Sequence, residues 1–229
     1  MSRKMVRLSR VGMRYAPDRY ALQNVSFDLD AGEFAYVTGS NGAGKTTLLK
    51  LLFAMEKATE GSIVVNNRDV SLLPKRNVFQ YRREVGFVFQ DFKLLPDLSV
   101  YDNVSLPLEI RKMTKSEVDY RVRGVLSLVS LSDRALDFPM NLSGGEQQRV
   151  AIARSIIGKP SLLLADEPTG NLDSKTARDI MSLFLEINDM GTTVLIATHD
   201  EGMMEDFPSR VIELKRGAVA HDIPKEGNT

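Results

Sequence analysis

The stretch Gly39-Ser40-Asn41-Gly42-Ala43-Gly44-Lys45-Thr46-Thr47 has the residue types of a phosphate cradle. It fits the pattern Gly, four residues, Gly-Lys-[Ser/Thr]. Glycines let the chain turn tightly, so successive backbone N–H groups converge on one anion. Lys45 brings a point charge toward β- and γ-phosphates, and the Thr46 hydroxyl is a ligand for Mg²⁺. A chance Gly-rich turn is the plain alternative. The flanks argue against it. Residues 33–38 read as a strand, and residues 48–53 read as a helix whose positive dipole end faces the anion.

A second group is Leu162-Leu163-Leu164-Ala165-Asp166-Glu167, an apolar strand ending in adjacent carboxylates. The C-terminal edge of a parallel strand is where ligands bind in open α/β sheets. Asp166 is expected to hold Mg²⁺, directly or through water. Glu167 is then free to polarise an attacking water, because a carboxylate engaged with metal is a poorer base. Without the phosphate cradle the same stretch would read as a strand ending in a polar turn. A third group is Leu142-Ser143-Gly144-Gly145-Glu146-Gln147-Gln148-Arg149. Two glycines and a serine at a helix N-terminus offer N–H groups and a hydroxyl to a phosphate. A helix cap alone is the plain alternative.

The elements that must position these groups follow from periodicity. Val25, Phe27 and Leu29 alternate with polar neighbours, so the first thirty residues read as antiparallel strands. Tyr15 and Tyr20 lie in a Pro-containing turn region, each an ordinary turn aromatic or a stacking surface for a base. Residues 61–67 give a strand and turn, and 85–90 an apolar strand ending in Gln90. Pro74-Lys75-Arg76 and Tyr81-Arg82-Arg83 read as a solvated helix face, since no aromatic interleaving or wider basic bias suggests nucleic acid. Ser99 is expected to cap a helix holding residues 101–104. Val118, Val122, Val125, Leu126 and Val129 keep helical spacing, with Ser116 as N-cap, and another helix runs from the Ser143 region through Ile157. Residues 161–166 and 193–198 are nearly unbroken apolar runs, suited to parallel strands covered on both faces. Ala177, Ile180, Met181, Phe184 and Leu185 form the stripe of a crossover helix between them. Residues 210–214 and 218–220 read as a hairpin, and 222–229 as a loose polar tail. The expected organisation is one α/β domain over 1–229. Its nucleotide-binding core comprises 1–90 and 158–229, with a helical subdomain inserted at 91–157.

Composition limits the function classes. Thirty basic residues balance thirty acidic ones, so nothing points to a polyanion, and no nucleic-acid partner is expected. Cysteine is absent, which excludes disulfides and thiolate chemistry and suits the cytoplasm. The first residues carry charge without a following apolar core, so no signal peptide is read there. No apolar run approaches the roughly 20 residues of a membrane span. Membrane association is expected only through a partner.

Together, the phosphate loop, the Asp166-Glu167 strand end and the Ser143-Gly144-Gly145-Glu146 motif resemble ABC-type ATPases over nearly the whole chain. The fold implied is the phosphate-loop NTPase core of that family, with an antiparallel β subdomain and the inserted helices. The resemblance implies ATP and Mg²⁺ as ligands, with Gly39 through Thr47 around the phosphates. It implies that Gln90 touches the metal region and senses a coupled membrane protein. It implies that His199 contacts the γ-phosphate, and that the Asn171-Leu172-Asp173 loop crosses a dimer interface. Tyr15 best matches the base-stacking aromatic, with Tyr20 as the alternative. Lys45, Glu167 and His199 are the implied catalytic set, and Thr46, Gln90 and Asp166 the implied metal set. A head-to-tail homodimer is implied, in which Ser143, Gly144, Gly145 and Glu146 of one copy cover nucleotide held by the other. Val88-Phe89-Gln90-Asp91, Tyr101-Asp102-Asn103-Val104 and Pro107-Leu108 resemble the members that act in bacterial cell division through an integral membrane partner. Members acting in lipoprotein release or export share the 165–173 run and are the alternative. The partner contact is expected around Gln90 and Tyr101. A soluble member acting on nucleic acid fits less well with balanced charge and one motif set. A module that binds nucleotide without hydrolysis fits less well with Glu167 and His199 both present.

Overall fold

The computed structural model describes residues 3–16 and 19–225. The chain opens with β1 (Lys4–Ala16), β2 (Arg19–Asp30) and β3 (Phe34–Thr38), then α1 (Lys45–Leu52). Next come β4 (Glu60–Val65), β5 (Arg68–Asp69), the short α2 (Val78–Tyr81) and β6 (Val85–Val88). Three helices follow: α3 (Val100–Glu109), α4 (Lys115–Leu128) and α5 (Gly144–Ile156). The chain closes through β7 (Leu162–Asp166), α6 (Ser174–Asp189), β8 (Thr193–Ala197), α7 (Glu201–Asp206), β9 (Arg210–Lys215) and β10 (Ala218–Ile223).

Two sheets form. An antiparallel sheet runs β2-β1-β4-β5, and a second sheet runs β10-β9-β3-β8-β7-β6. In the second, β3 is parallel to β8 and β9, and β7 is parallel to β6 and β8. The apolar runs are explained by this geometry, because side chains alternate between faces. Ala35, Val37, Leu162, Leu164, Leu195 and Ala197 join a core shared with the antiparallel sheet and α1. Phe34, Tyr36, Leu163, Ala165, Val194 and Ile196 join a second core with α3 through α6. The parallel pairing brings the carboxyl ends of β3, β6, β7 and β8 to one edge of the sheet. The loops that follow them carry Gly39, Gln90, Glu167 and His199.

Several local expectations shift. The N-cap of α4 is Thr114, not Ser116. Its hydroxyl accepts from the Glu117 N–H while the Glu117 carboxylate accepts from the Thr114 N–H. This reciprocal box satisfies two orphan donors, which Ser116 inside the first turn cannot do. Ser99 caps α3 as expected, accepting from the Asp102 N–H. The buried stripe of α6 gains Leu183 and Ile187, whereas Leu185 is only partly buried. The tail stays ordered longer than its polarity suggests. Asp222 lies in β10, where both its oxygens accept from Arg210, each at 2.7 Å. The basic segment before β6 is not wholly solvated. Tyr81 is buried and donates to the Leu52 carbonyl, and Arg82 donates to the Phe53 and Ala54 carbonyls at the end of α1. Tyr15 lies in β1 and Tyr20 in β2, and the Pro-containing turn read between them falls on residues 17 and 18, which lie outside the described residues, as do 1–2 and 226–229.

Candidate functional site

Residues 39–44 connect β3 to α1, and their glycines take backbone angles that other residues resist. Gly39, Gly42 and Gly44 have φ of +138°, +80° and +110°. Space demands glycine as well. A Cβ on Gly39 would lie 2.2 Å from the Leu214 carbonyl oxygen, and one on Gly44 would lie 2.7 Å from the Ala21 carbonyl oxygen. The loop therefore packs directly against neighbouring strands. No side chain caps α1, so its first N–H groups remain available to an anion.

These features line a cavity of about 390 Å³. Ser40, Asn41, Gly42, Ala43, Gly44, Lys45, Thr46 and Thr47 form its floor, and Gln90, Glu167 and His199 close one side. Tyr15 and Tyr20 stand at the other side together with Arg19 and Ala21. The Tyr15 hydroxyl donates to Glu56 at 2.6 Å and lies 3.4 Å from the Thr47 hydroxyl, leaving the ring half exposed. The Tyr20 ring is instead covered by the Arg14 guanidinium at 4.3 Å. Tyr15 thus has the freer face for a base.

The charged groups form one connected set. Lys45 donates to the Gly39 carbonyl at 2.8 Å and lies 3.4 Å from Glu167. The His199 Nδ1 is 2.9 Å from both oxygens of Glu167. With Glu167 ionised, Nδ1 carries the proton and donates, which leaves Nε2 of a neutral ring as an acceptor. The Thr46 hydroxyl donates to Asp166 at 3.1 Å. Burial pushes the Asp166 carboxyl above its ordinary range, opposed by the Thr46 hydroxyl and helped by the Glu167 charge. Glu167 itself takes φ of +47°, a left-handed position for a side chain larger than glycine. Its N–H donates to the Ala197 carbonyl at 2.8 Å, which holds that turn against the end of β8. Such strain recurs at working sites and costs on the order of 1–2 kcal/mol.

A divalent cation fits the pair Thr46 and Asp166. Both offer hard oxygens beside the phosphate cradle, the donor set that Mg²⁺ uses when substrate phosphates complete its shell.

Ser143, Gly144, Gly145, Glu146 and Asp173 are not among the residues lining this cavity. Ser143 caps α5 in a reciprocal box with Glu146. The Ser143 N–H and hydroxyl both donate to Glu146 at 2.8 Å, and the hydroxyl accepts from the Glu146 N–H. The cap reading of this motif therefore holds within one chain. Gly145 also allows a close crossing, since a Cβ there would lie 2.5 Å from the Thr176 side chain on α6. Asp173 caps α6, accepting from the Lys175 and Thr176 N–H groups. Sequence reading missed Arg19 in the cavity lining and Glu56 as the partner of the Tyr15 hydroxyl. Neither sits in a motif, and Glu56 reaches Tyr15 across 41 positions through tertiary packing.

The ABC transporter family model matches residues 22–170. A cell-division ATP-binding protein FtsE from Bacillus subtilis is 44% identical over 218 residues, covering 95% of this chain and 96% of that protein. FtsE from Escherichia coli K12 is 45% identical over 222 residues, covering 95% of this chain and all of that protein. A solved ATP-binding cassette, dimeric in a post-hydrolysis state with ADP and Pi, superposes with a TM-score of 0.88. It is 38% identical and covers 96% of this chain and 98% of its own. A subunit of an ABC transporter complex from Clostridium perfringens gives a TM-score of 0.90 at 28% identity, over 97% of this chain and 89% of its own. The phosphate loop, the Asp166-Glu167 strand end and the Ser143 motif thus sit in a fold and a sequence that agree, and the chain belongs to the ABC transporter family as an FtsE-like ABC-type ATPase.

Proposed function

We propose that two copies of this chain close head to tail around ATP and that the closure drives an integral membrane partner of the FtsX kind. One observation carries the proposal. Each chain gathers Lys45, Thr46, Gln90, Glu167 and His199 at one cavity, while Ser143 to Glu146 at the start of α5 are not among the residues that line it. Half of the expected site is assembled, and a second copy is the source of the rest. The dimeric relatives support this reading.

In the proposed site, Lys45 and the backbone from Gly39 to Thr47 hold the phosphates, and Tyr15 stacks on the base. Thr46, Asp166 and Gln90 would hold Mg²⁺. When bound, that ion neutralises phosphate charge and orients the terminal group. Glu167 accepts a proton from the attacking water, and His199 holds Glu167 while offering its ring to the γ-phosphate. Ser143, Gly144, Gly145 and Glu146 of the second copy cover that phosphate, and Asp173 sits at the interface. Nucleotide then favours the closed state, and loss of the γ-phosphate releases it.

The segment 91–157 is proposed as the helical subdomain that meets the partner. An apolar groove of about 540 Å³ supports this, with Phe79, Phe89, Leu95, Leu106, Pro107 and Ile110 in its lining. It begins next to Gln90. Tyr101 is absent from that lining and packs against the second core, which shifts the proposed contact away from it. Among the described residues, no helix is long and apolar enough to cross a membrane. From its likeness to FtsE proteins, the chain is proposed to sit on the cytoplasmic face of the membrane through its partner, relaying motion to cell-wall hydrolases during division. FtsE-like relatives favour this role over lipoprotein release or export.

Two measurements test the proposal. Light scattering should show ATP-dependent dimerisation that Ser143→Arg abolishes. Ile110→Glu should retain ATP binding but lose co-purification with the membrane partner. A chain that stays monomeric with ATP, or an Ile110→Glu variant that keeps its partner, would count against it.

A further inference from the structure

We propose that Arg154 is a positioning residue, one that locks the loop after Gln90 onto the helix that presents Ser143. The inference rests on the functional reading above and deepens it. Arg154 lies in the last turn of α5, roughly 16 Å along the helix from Ser143. Its guanidinium donates to two consecutive carbonyls, Nη2 to Phe92 and Nη1 to Lys93, each at 2.7 Å. Those two residues are unusual. Phe92 and Lys93 take φ of +57° and +51°, two successive left-handed positions without a glycine.

Left-handed backbone turns its carbonyls in a direction that ordinary loops do not. Here both point at one side chain. A guanidinium suits the task because its planar fork meets two acceptors in fixed geometry, whereas an ammonium is a single flexible point charge. The far end of the same loop is pinned by Asn103, whose side chain accepts from the Leu95 N–H and donates to the Leu95, Leu98 and Ser99 carbonyls. The loop is thus gripped from α5 at one end and from α3 at the other.

The consequence lies in what these contacts join. Gln90 lines the nucleotide cavity two residues before the gripped pair. Arg154, Lys93 and Leu95 all line the apolar groove proposed for the partner. Ser143 stands at the opposite end of the same rigid helix. A displacement in the groove therefore moves the Gln90 loop and the Ser143 end as one body. Arg154 touches no nucleotide and acts through the loop it holds.

Arg154→Lys tests this in the full chain. Nucleotide-free hydrogen exchange should accelerate at least tenfold at the amides of Lys93 and Leu95, with the α1 amides unchanged. ATP affinity should stay within twofold, because the phosphate loop is separate. The kcat should fall at least tenfold, and in a Glu167→Gln background ATP-dependent dimerisation should weaken to a similar degree. Adding Lys93→Gly should return at least threefold of the lost kcat, since glycine takes a positive φ without being held. Unchanged exchange in Arg154→Lys would overturn the proposal. So would a parallel loss of ATP affinity and thermal stability, which marks a merely structural role, or a Lys93→Gly addition that restores nothing. If wild-type chain fails to hydrolyse ATP, the ATPase reading fails, and the exchange measurement still decides the clamp.

Discussion

Lys45 Nζ lies 3.4 Å from Glu167 Oε1, and both side chains are almost wholly withdrawn from solvent. The cation suited to phosphate is thus held by the carboxylate suited to water. His199 completes the arrangement from the other side of Glu167. In the proposed mechanism nucleotide binding exchanges partners: phosphate takes Lys45, and Glu167 is left to His199 and the incoming water.

Glu167→Gln should therefore do two things. Hydrolysis should fall by about 10²–10⁴, the usual worth of a positioned general base. ATP affinity should rise several-fold, because the competitor for Lys45 loses its charge. Steady-state turnover at the wild-type level would remove Glu167 from its role. Unchanged affinity would show that the resting ion pair does not oppose binding.

Lys45→Ala should weaken ATP binding more than tenfold by equilibrium titration. The lost group makes charge-assisted contacts that backbone N–H groups do not replace. The variant should still fold, since Glu167 keeps the His199 hydrogen bond. Wild-type ATP affinity would contradict the assignment.

The glycines of the loop should separate by location. Gly39→Ala drives a methyl group to 2.2 Å from the Leu214 carbonyl and 2.9 Å from the Ala43 side chain, at a φ of +138°. Gly42→Ala meets open space at a φ of +80°. The first should abolish nucleotide binding and lower Tm markedly. The second should cost on the order of 1–2 kcal/mol, the penalty for a left-handed alanine. Thermal melts with and without ATP would check both.

Acid should unfold the chain partly through its helix caps. Thr176 and its N–H hold Asp173 below the usual carboxylate range. The Ser143 N–H and hydroxyl hold Glu146 low, and the Thr114 hydroxyl and N–H hold Glu117 low. Each folded pKa lies below its unfolded value. Their stabilisation is therefore complete above the unfolded carboxylate pKa of about 4 and is lost as pH falls through the folded values. Tm should be flat with respect to these groups from pH 7 to 5 and decline below about 4. Glu146→Gln should start lower and decline less. A variant that tracks wild type down to pH 3 would show that this cap adds no pH-dependent stability.

Much of the site is legible in the residues because its chemistry is local. The loop at 39–47 is written in glycines, a lysine and threonines, and its conformation depends on nearby backbone sterics. The helix start at Ser143 is written as Ser-x-x-Glu. The same pattern at Thr114 and Glu117 was available and outweighs Ser116, because a box needs the fourth residue as well as the first. The paired apolar runs around Leu163 and Ile196 announce parallel strands, because both faces are buried. By contrast, the order of Asp222 depends on the Arg210 fork, and no local rule reports a partner across a hairpin.

The sequence by itself determined the anion-binding loop, the strand ends that bear carboxylates and the helix caps, since each is set within a few residues. Tertiary structure alone decided which of them meet. Thr46 reaches Asp166 across 120 positions, and Lys45 and His199 both reach Glu167, because parallel pairing aligns strand ends far apart in the chain. It also decided that Ser143 stays outside the cavity and that Arg154 grips Phe92 and Lys93. Those outcomes depend on helix packing and left-handed backbone, which residue spacing does not encode.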